Sequence, residues 1–291
     1  MKILIAAALL VALPLAGSAE EKASTEKERN LVEAAYRLRV KDVQRLISEG
    51  ADVNIRFGKH EADDRFQDPW DLGYPMAYPN WTPLLALSKA SVWPPPPRKI
   101  ENTEEDFEFR LTEAANVPEK ELEKRRDLKL QIGKILIDAG AEVNVDDGYG
   151  ATPLYNSAAG KSGLLLLLIQ HGARVNSKTG IYIDGPGDKT PLHLAVHSPD
   201  NLATLIHEGA ALDAVDTRGN TALHCAVSAD ELASVKLLLD AGANRTVKNK
   251  DGKVASDLCN THKWASVKEL AISRLFTKNN KMHNKSEQSN R

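Results

Sequence analysis

The sequence has few of the residues that would indicate a disulfide-stabilised protein. It contains only two cysteines in 291 residues, Cys225 and Cys259, which excludes a disulfide framework. Each lies within an apolar stretch with helical spacing. A bridge between them would require their Cα atoms to lie within about 7 Å of each other. We expect two free, buried thiols.

The sequence also lacks the common catalytic signatures and any excess of one charge. Neither a Gly-x-Ser-x-Gly elbow nor a His-Glu-x-x-His motif occurs, so we expect no enzyme. Its 38 basic and 40 acidic side chains give a net charge of −2. Such a balance gives no general attraction to nucleic acid or to anionic membranes. The lysines near the C-terminus are few and have no aromatic residues among them, so they do not suggest a nucleic-acid arm.

Long apolar runs are absent except at the N-terminus. After Met1 and Lys2, residues 3–15 are apolar, and Gly17-Ser18-Ala19 supplies small residues before a cleavage site. This pattern is typical of a secretory signal peptide cleaved after Ala19, because the run is short for a membrane span. Residues 15–18 resemble a lipoprotein box in which serine replaces the lipidated cysteine. We therefore expect a periplasmic or secreted protein of a Gram-negative bacterium, without a stable membrane anchor.

Two phrases recur along the chain. The first reads Thr-Pro-Leu-His-Leu-Ala at 190–195 and Thr-Ala-Leu-His-Cys-Ala at 221–226, with looser copies starting at Thr82 and Thr152. Threonine favours a helix N-cap, and proline fits the first helical position. The second phrase, Gly-Ala-x-Val-Asn or a variant of it, ends each unit with the residue type favoured after a helix; it begins at Gly50, Gly140, Gly172, Gly209 and Gly242. Each unit is predicted to be helix, turn, helix, glycine and loop.

A period of about 33 residues with these phrases resembles the ankyrin repeat. The resemblance implies an all-α solenoid of five to six stacked repeats over residues 30–276. Residues 20–29 are predicted to be a loose polar lead-in, and residues 277–291 a disordered polar tail. In this family the motif histidine bonds the backbone of the adjacent loop. The resemblance therefore assigns structural roles to Thr190, Pro191, His193, Thr221 and His224.

Two long insertions are predicted in the N-terminal half, at about 55–80 and 93–128. The first is acidic and carries Phe66, Trp70, Tyr74 and Tyr78. These aromatic side chains either fold back over the stack or serve as anchors for a partner, and the sequence leaves both readings open. The second insertion contains the polyproline tract 94–97, followed by a charged helix predicted over 119–130.

Three further patterns could suggest a small-ligand site. Gly160-Lys161-Ser162 matches the end of a phosphate-binding loop, but the first glycine of that loop is replaced by Tyr155. His193 and His197 are spaced to share a metal, yet no cysteine or carboxylate is placed to complete the site. His60 lies beside acidic residues in a spacing that matches no known cation loop. We predict no metal site and no cofactor.

Ankyrin domains are generally non-catalytic protein-binding scaffolds that use their finger loops and first helices. Carried over residue by residue, the contact face would include Asp146, Asp147, Tyr149, Thr179, Tyr182, Thr217, Arg218, Asn220, Lys250 and Asp251. We expect a protein that is monomeric when free and binds a protein partner, most specifically as an inhibitor or immunity protein against an envelope-targeted toxin. A periplasmic stress-defence or assembly factor linked to peroxide and catalase is the alternative. The third hypothesis is an enzyme whose site lies in the insertions.

Overall fold

The computed structural model describes residues 19–56, 81–90, 117–161, 163–180, 187–260 and 275. In these ranges the chain is helical and contains no β-strand. The α-helices, in chain order, are α1 Ala19–Tyr36, α2 Val40–Ser48, α3 Pro83–Lys89, α4 Glu119–Asp138, α5 Pro153–Ser157, α6 Leu164–Gln170, α7 Pro191–Leu194, α8 Pro199–His207, α9 Ala222–Ser228 and α10 Leu232–Asp240. Short 3₁₀ helices cover Ala195–His197 and Ala255–Asn260.

Successive helix pairs form five stacked units, and Ala255–Asn260 begins a sixth. The first helices α1, α3, α5, α7 and α9 contact one another in order along the stack. Among the second helices, α2 contacts α4, α4 contacts α6, and α8 contacts α10. One core of buried leucine, alanine and valine side chains runs through all the units. A single helix pair cannot bury its own apolar face, so this continuity stabilises the chain.

The threonine phrase starts the first helices of units two to five, as predicted. The hydroxyl oxygens of Thr82 and Thr152 accept hydrogen bonds from the backbone N–H of Leu85 and Tyr155, both at 3.2 Å. Proline occupies the first turn of α3, α5 and α7. These contacts satisfy backbone donors that have no partner inside the helix.

The glycine phrase ends each second helix in one geometry. Gly50, Gly140, Gly172, Gly209 and Gly242 all have positive φ, between 80° and 91°. The alanine that follows each glycine donates its N–H back to a carbonyl of the helix, as Ala51 does to Leu46 at 3.0 Å. This left-handed stop releases the chain into the next loop without leaving helix carbonyls unpaired.

An asparagine at the end of the glycine phrase joins each of the first three units to the next. Asn144 donates from Nδ2 to the Gly172 carbonyl at 2.9 Å, and its Oδ1 accepts from Arg174 N at 2.8 Å. Asn54 and Asn176 make the same pair of bonds to Gly140 and Glu142, and to Gly209 and Ala211. These paired bonds fix the register between neighbouring units.

Two segments are more helical than the sequence prediction. Residues 20–29, expected to be a loose lead-in, belong to α1, where Lys27 Nζ donates to the Glu49 carbonyl at 2.9 Å and Glu28 is buried. The charged helix predicted over 119–130 continues without a break into the second helix of unit two. Leu122, Ile132 and Leu136 are buried along this helix, so tertiary packing extends it.

Several predicted features lie outside the described residues. They are the signal peptide, most of both predicted insertions with their aromatic side chains and proline tract, and the polar tail. Within the described part of the chain, no helix is both long enough and apolar enough to cross a membrane. Cys225 and Cys259 form no disulfide. Cys259 is buried as expected, whereas Cys225 is half-buried, and its burial raises the pKa of the Cys225 thiol to about 11.

Candidate functional site

The loops between units, here called the finger loops, cover residues 145–151, 177–189, 214–220 and 247–253. In three of these loops, a side chain within the loop accepts hydrogen bonds from two backbone N–H groups and so closes it. Asp216 Oδ1 accepts from Arg218 N and Asn220 N, both at 2.8 Å. Asn249 Oδ1 accepts from Asp251 N and Lys253 N, both at 3.0 Å. These bonds hold each loop tip in one conformation.

Asp147 closes the finger loop at 145–151 and is not a surface residue. Its Oδ1 accepts from Tyr149 N and Ala151 N, both at 3.1 Å, and its Oδ2 pairs with Lys89 Nζ at 2.9 Å. The Asp147 side chain is 0% exposed, whereas its position in the repeat predicted that it lies on the contact face. A buried carboxylate is stable only when paired and hydrogen-bonded, so Asp147 is a structural residue.

Thr179, also assigned to the contact face, is buried for a similar reason. Its Oγ1 accepts from Lys189 N at 3.2 Å, across residues 181–186. Tyr182 lies among those residues, outside the described part of the chain, as do Phe66, Trp70, Tyr74 and Tyr78. Asn220 and Thr217 are half-buried, and Asn220 Oδ1 accepts from Asn249 Nδ2 at 3.0 Å.

His193 and His224 connect units rather than bind a ligand. The N–H of Thr190 donates to His193 Nδ1 at 3.2 Å, so the other ring nitrogen carries the proton and donates to the Asn220 carbonyl at 3.0 Å. His224 repeats the arrangement with Thr221 N and with the Lys253 carbonyl, both at 3.2 Å. Burial lowers the pKa of both histidines, which keeps them neutral. Each of the two rings thus bonds the backbone of the adjacent loop.

Tyr155 occupies the histidine position in unit three and has a related role. Its side chain bonds Thr179 of the adjacent loop, and burial raises the pKa of its hydroxyl to about 12. In unit two the same position is Leu85, and the loop contact is made instead by Lys89 with Asp147. The departures from the histidine motif are therefore compensated by neighbouring side chains.

Lys129 of α4 has a buried side chain, which no sequence motif indicated. Its Nζ donates to the carbonyls of Ser88 at 2.9 Å and Ala90 at 2.8 Å, at the end of α3. Burial lowers the pKa of Lys129 to about 7. Only its position between apolar residues, Leu128 and Leu130, hinted at this role, and many surface lysines share that pattern.

The glycine-lysine sequence at 160–161 is part of a helix-helix turn. Asn201 Nδ2 donates to the carbonyls of Ser157, Ala158 and Gly160. A phosphate cradle needs backbone N–H groups directed at the ligand, whereas here the turn presents carbonyls to an amide donor. Within the described ranges, no three histidine, cysteine or acidic side chains are grouped to hold a metal ion.

The finger loops retain an exposed set of side chains after these structural roles are removed. Of the residues assigned from sequence to the contact face, Asp146, Tyr149, Arg218, Lys250 and Asp251 are exposed. Tyr149 has 36% of its surface accessible and Val215 has 37%. Lys178, Lys248 and Lys253 are also exposed, and they lie in the same finger loops.

Neighbouring finger loops are joined by backbone hydrogen bonds. Thr217 N donates to the Gly187 carbonyl at 3.0 Å, and Lys250 N donates to the Arg218 carbonyl at 2.9 Å. The side chains at the loop tips therefore belong to one continuous surface. Such a surface offers contacts for a macromolecule and contains no enclosed site for a small substrate among the residues described above.

Comparison with known proteins identifies the repeats. A family model described as ankyrin repeats, in three copies, matches residues 181–249. The human neurogenic locus notch homolog protein 2 is 37% identical over 119 residues, which is 40% of this chain and 5% of that protein. A putative palmitoyltransferase ZDHHC13 of Danio rerio is 38% identical over 120 residues, which is 38% of this chain and 18% of that protein. The chain spans only a small part of these relatives, and residues 181–249 are ankyrin repeats.

Proposed function

We propose that this protein is an exported, non-catalytic protein-binding module that acts in the bacterial periplasm. Ankyrin repeats suggest a protein-binding module. The observation that carries the proposal is that different residues of the finger loops have structural and exposed positions. Their buried polar residues, such as Asp147 and Asp216, only hold the loops in shape, while Tyr149, Arg218 and Lys250 remain exposed on a rigid base. Rigid loops lose little conformational entropy when a partner binds.

The more specific proposal is an inhibitor or immunity protein that neutralises an envelope-targeted toxin. It is supported by the N-terminal pattern of a signal peptide and by the absence of catalytic motifs from the sequence. A stoichiometric inhibitor needs a large, preformed surface and no reacting groups, and the finger loops have that character.

We also propose that most of the two predicted insertions, at about 55–80 and 93–128, leaves the stack, except residues 119–128, which belong to α4. Asn54 contacts Gly140 across 86 residues of sequence, whereas Asn144 contacts Gly172 across 28. The joint is the same in both places, so the additional residues between Asn54 and Gly140 are not needed to form it. Their aromatic content makes them candidates for a second contact region beside the finger loops.

The test is to tag the protein at its C-terminus, express it in a Gram-negative host and isolate it from the periplasm. We expect the mature chain to begin at Glu20 and to co-purify with one stoichiometric protein. Replacing Tyr149 and Arg218 together by serine should abolish this capture. The matched control is Leu166→Ser on α6, which removes another exposed apolar side chain, 48% accessible, outside the finger loops.

A third variant, with residues 57–80 replaced by a short turn, tests the first predicted insertion as a contact. If both serine variants retain the partner and only this third variant loses it, the finger loops are not the binding surface. A catalase as the captured protein would support the stress-defence alternative instead of the inhibitor. Retention of the protein in the cytoplasm, or the absence of any captured partner, would contradict the proposal.

A further inference from the structure

We propose that the last two finger loops form a cationic surface that binds an acidic segment of the protein partner. This surface, here called the basic ridge, consists of Arg218, Lys248, Lys250 and Lys253, all of which are exposed. The proposal rests on the proposed function, because it assumes a protein partner. It adds the chemistry by which that partner is recognised.

The basic ridge is preorganised by contacts between the two loops. Lys250 N donates to the Arg218 carbonyl at 2.9 Å, so the backbones that carry the two cationic side chains are adjacent. The loops are so close that a Cβ atom on Gly219, where φ is +78°, would lie 3.0 Å from Lys250 N. Arg218 and Lys250 are therefore held together whether or not a ligand is bound.

Lys253 is fixed in the same way from the adjacent helix. Its carbonyl accepts from His224 Nε2 at 3.2 Å and from Asn249 N at 2.9 Å. The backbone positions of the ridge residues are thus set by buried side chains, while their charged groups remain in solvent. A binding surface built on such a frame requires little reorganisation when a partner arrives.

The ridge charges make no ion pair with a described residue, unlike many cations elsewhere in the described ranges. Lys89 pairs with Asp147 at 2.9 Å, and Arg56 pairs with Glu142 at 2.6 Å. No ion pair within the described ranges involves Arg218, Lys248, Lys250 or Lys253. Neighbouring like charges repel, and a carboxylate bound between Arg218 and Lys250 would relieve that repulsion. Arginine can also bind a carboxylate through two parallel hydrogen bonds.

The surroundings of the ridge favour an acidic protein segment over nucleic acid. The exposed carboxylate of Asp251 follows Lys250 directly in the chain, and it would repel a continuous phosphate backbone. Residues 214–253 contain no phenylalanine, tyrosine or tryptophan on which a base could stack. A protein segment can place glutamates opposite the ridge and one basic side chain opposite Asp251, so it matches both signs of charge.

The experiment uses the full chain and a short peptide of alternating glutamate and glycine, labelled with a neutral fluorophore. Binding is measured by fluorescence anisotropy, and a short DNA duplex is tested in parallel. The ridge variant is Arg218→Glu with Lys250→Glu. The control is Lys134→Glu with Lys236→Glu, which changes the net charge equally at exposed positions on α4 and α10.

We expect the peptide to bind the wild-type protein at low salt. The ridge variant should weaken binding at least about tenfold, and the control variant less than about twofold. Raising the salt concentration from about 0.05 M to about 0.3 M should also weaken wild-type binding, because the charges are exposed. No binding of the peptide, equal losses in the two variants, or tighter binding of the duplex than of the peptide would overturn the proposal.

Thermal unfolding followed by circular dichroism shows whether the ridge variant remains folded. If it does not, peptide binding is measured with the neutral variant Arg218→Gln with Lys250→Gln and with the wild-type protein at increasing salt. Both should show weaker binding. Capture of the periplasmic partner separates this proposal from the proposed function. A partner retained by the folded ridge variant overturns the role of the ridge and leaves the binding module intact, whereas no captured partner contradicts the proposed function itself.

Discussion

Asn54 and Gly140 form the same joint as residues much closer together in the sequence. Asn54 donates from Nδ2 to the Gly140 carbonyl at 2.9 Å and accepts from Glu142 N at 2.7 Å, as Asn144 and Asn176 do at the next two joints. At the fourth joint the residue is Asp213. It accepts from Asn244 N at 2.8 Å, but a carboxylate has no N–H to offer to Gly242.

Asp213→Asn should therefore stabilise the protein. The amide keeps the bond from Asn244 and adds a donor for the Gly242 carbonyl, which is worth about 0.5–1.5 kcal/mol in the free energy of unfolding. Urea unfolding at neutral pH measures the change. The matched control is Asn176→Asp, which removes the equivalent donor and should destabilise by a similar amount. An Asp213→Asn protein no more stable than the wild type would contradict this account of the joint.

The two buried histidines should make the protein less stable in mild acid. Burial lowers the pKa of His193 and His224 in the folded state, whereas in the unfolded chain a histidine titrates near about 6.5. Between these values the unfolded chain binds more protons. The free energy of unfolding therefore falls as the pH drops through about 6.5 toward the lower folded pKa. Protonation would also place a proton on Nδ1, which already accepts from a backbone N–H in each case.

Urea unfolding at several pH values between about 7.5 and 5 tests this dependence. Replacing both His193 and His224 by glutamine should make the fall shallower. His207→Gln is the control, because that side chain is 85% exposed and belongs to no joint between units. An unchanged slope in the double variant would show that other groups cause the acid sensitivity.

Lys129 should make the stability of the protein depend on pH above neutrality, whereas the histidines act below it. Burial lowers its pKa to about 7 in the folded state, and an unfolded lysine titrates near about 10.4. Between these values the unfolded chain again binds more protons. The free energy of unfolding should rise as the pH increases from about 7 toward 9, by an amount on the order of 1 kcal/mol per pH unit.

Lys129→Met should remove this rise, because the variant has no proton to lose at that position. At pH 9 it should also be less stable than the wild type by about 1–3 kcal/mol, since the carbonyls of Ser88 and Ala90 lose their donor. Lys134→Met, at an exposed position of α4, should keep the wild-type slope. Equal slopes for all three proteins would refute a neutral Lys129 in the folded state.

Two glycines with the same backbone conformation should respond differently to alanine. Gly150 has a φ of +82°, and an added Cβ would lie 2.7 Å from the Lys178 carbonyl oxygen of the next finger loop. Gly209 has a φ of +80°, and no atom lies within 4 Å of such a Cβ. Gly209→Ala should cost about 1–2 kcal/mol for the left-handed conformation alone.

Gly150→Ala should cost more than this, because it also forces two backbone segments apart. Chemical denaturation of the two variants, compared with the wild type, measures the difference. If the variants were equally stable, the close contact between the finger loops at Gly150 would not exist in solution.

The residues of the two phrases were enough to predict much of the stack. Threonine caps, the motif histidines and the glycine stops act within one unit or between neighbouring units, so their roles follow from local geometry and spacing. The sequence also predicted which loops carry exposed residues such as Tyr149, Arg218 and Lys250. It could not separate these from Asp147 and Thr179, because all of them are polar or amphipathic residues of the same loops.

Tertiary structure decided the properties that depend on contacts between distant residues. Asp147 is buried because Lys89, 58 residues earlier, reaches it from α3. Lys129 is buried because α4 packs against the end of α3, and no local pattern records that contact. The sequence alone determined the repeat, its helices and its caps, since each of these depends on residues a few positions apart. The tertiary structure alone decided which side chains remain available to a partner, because contacts between the stacked units bury or hydrogen-bond the others.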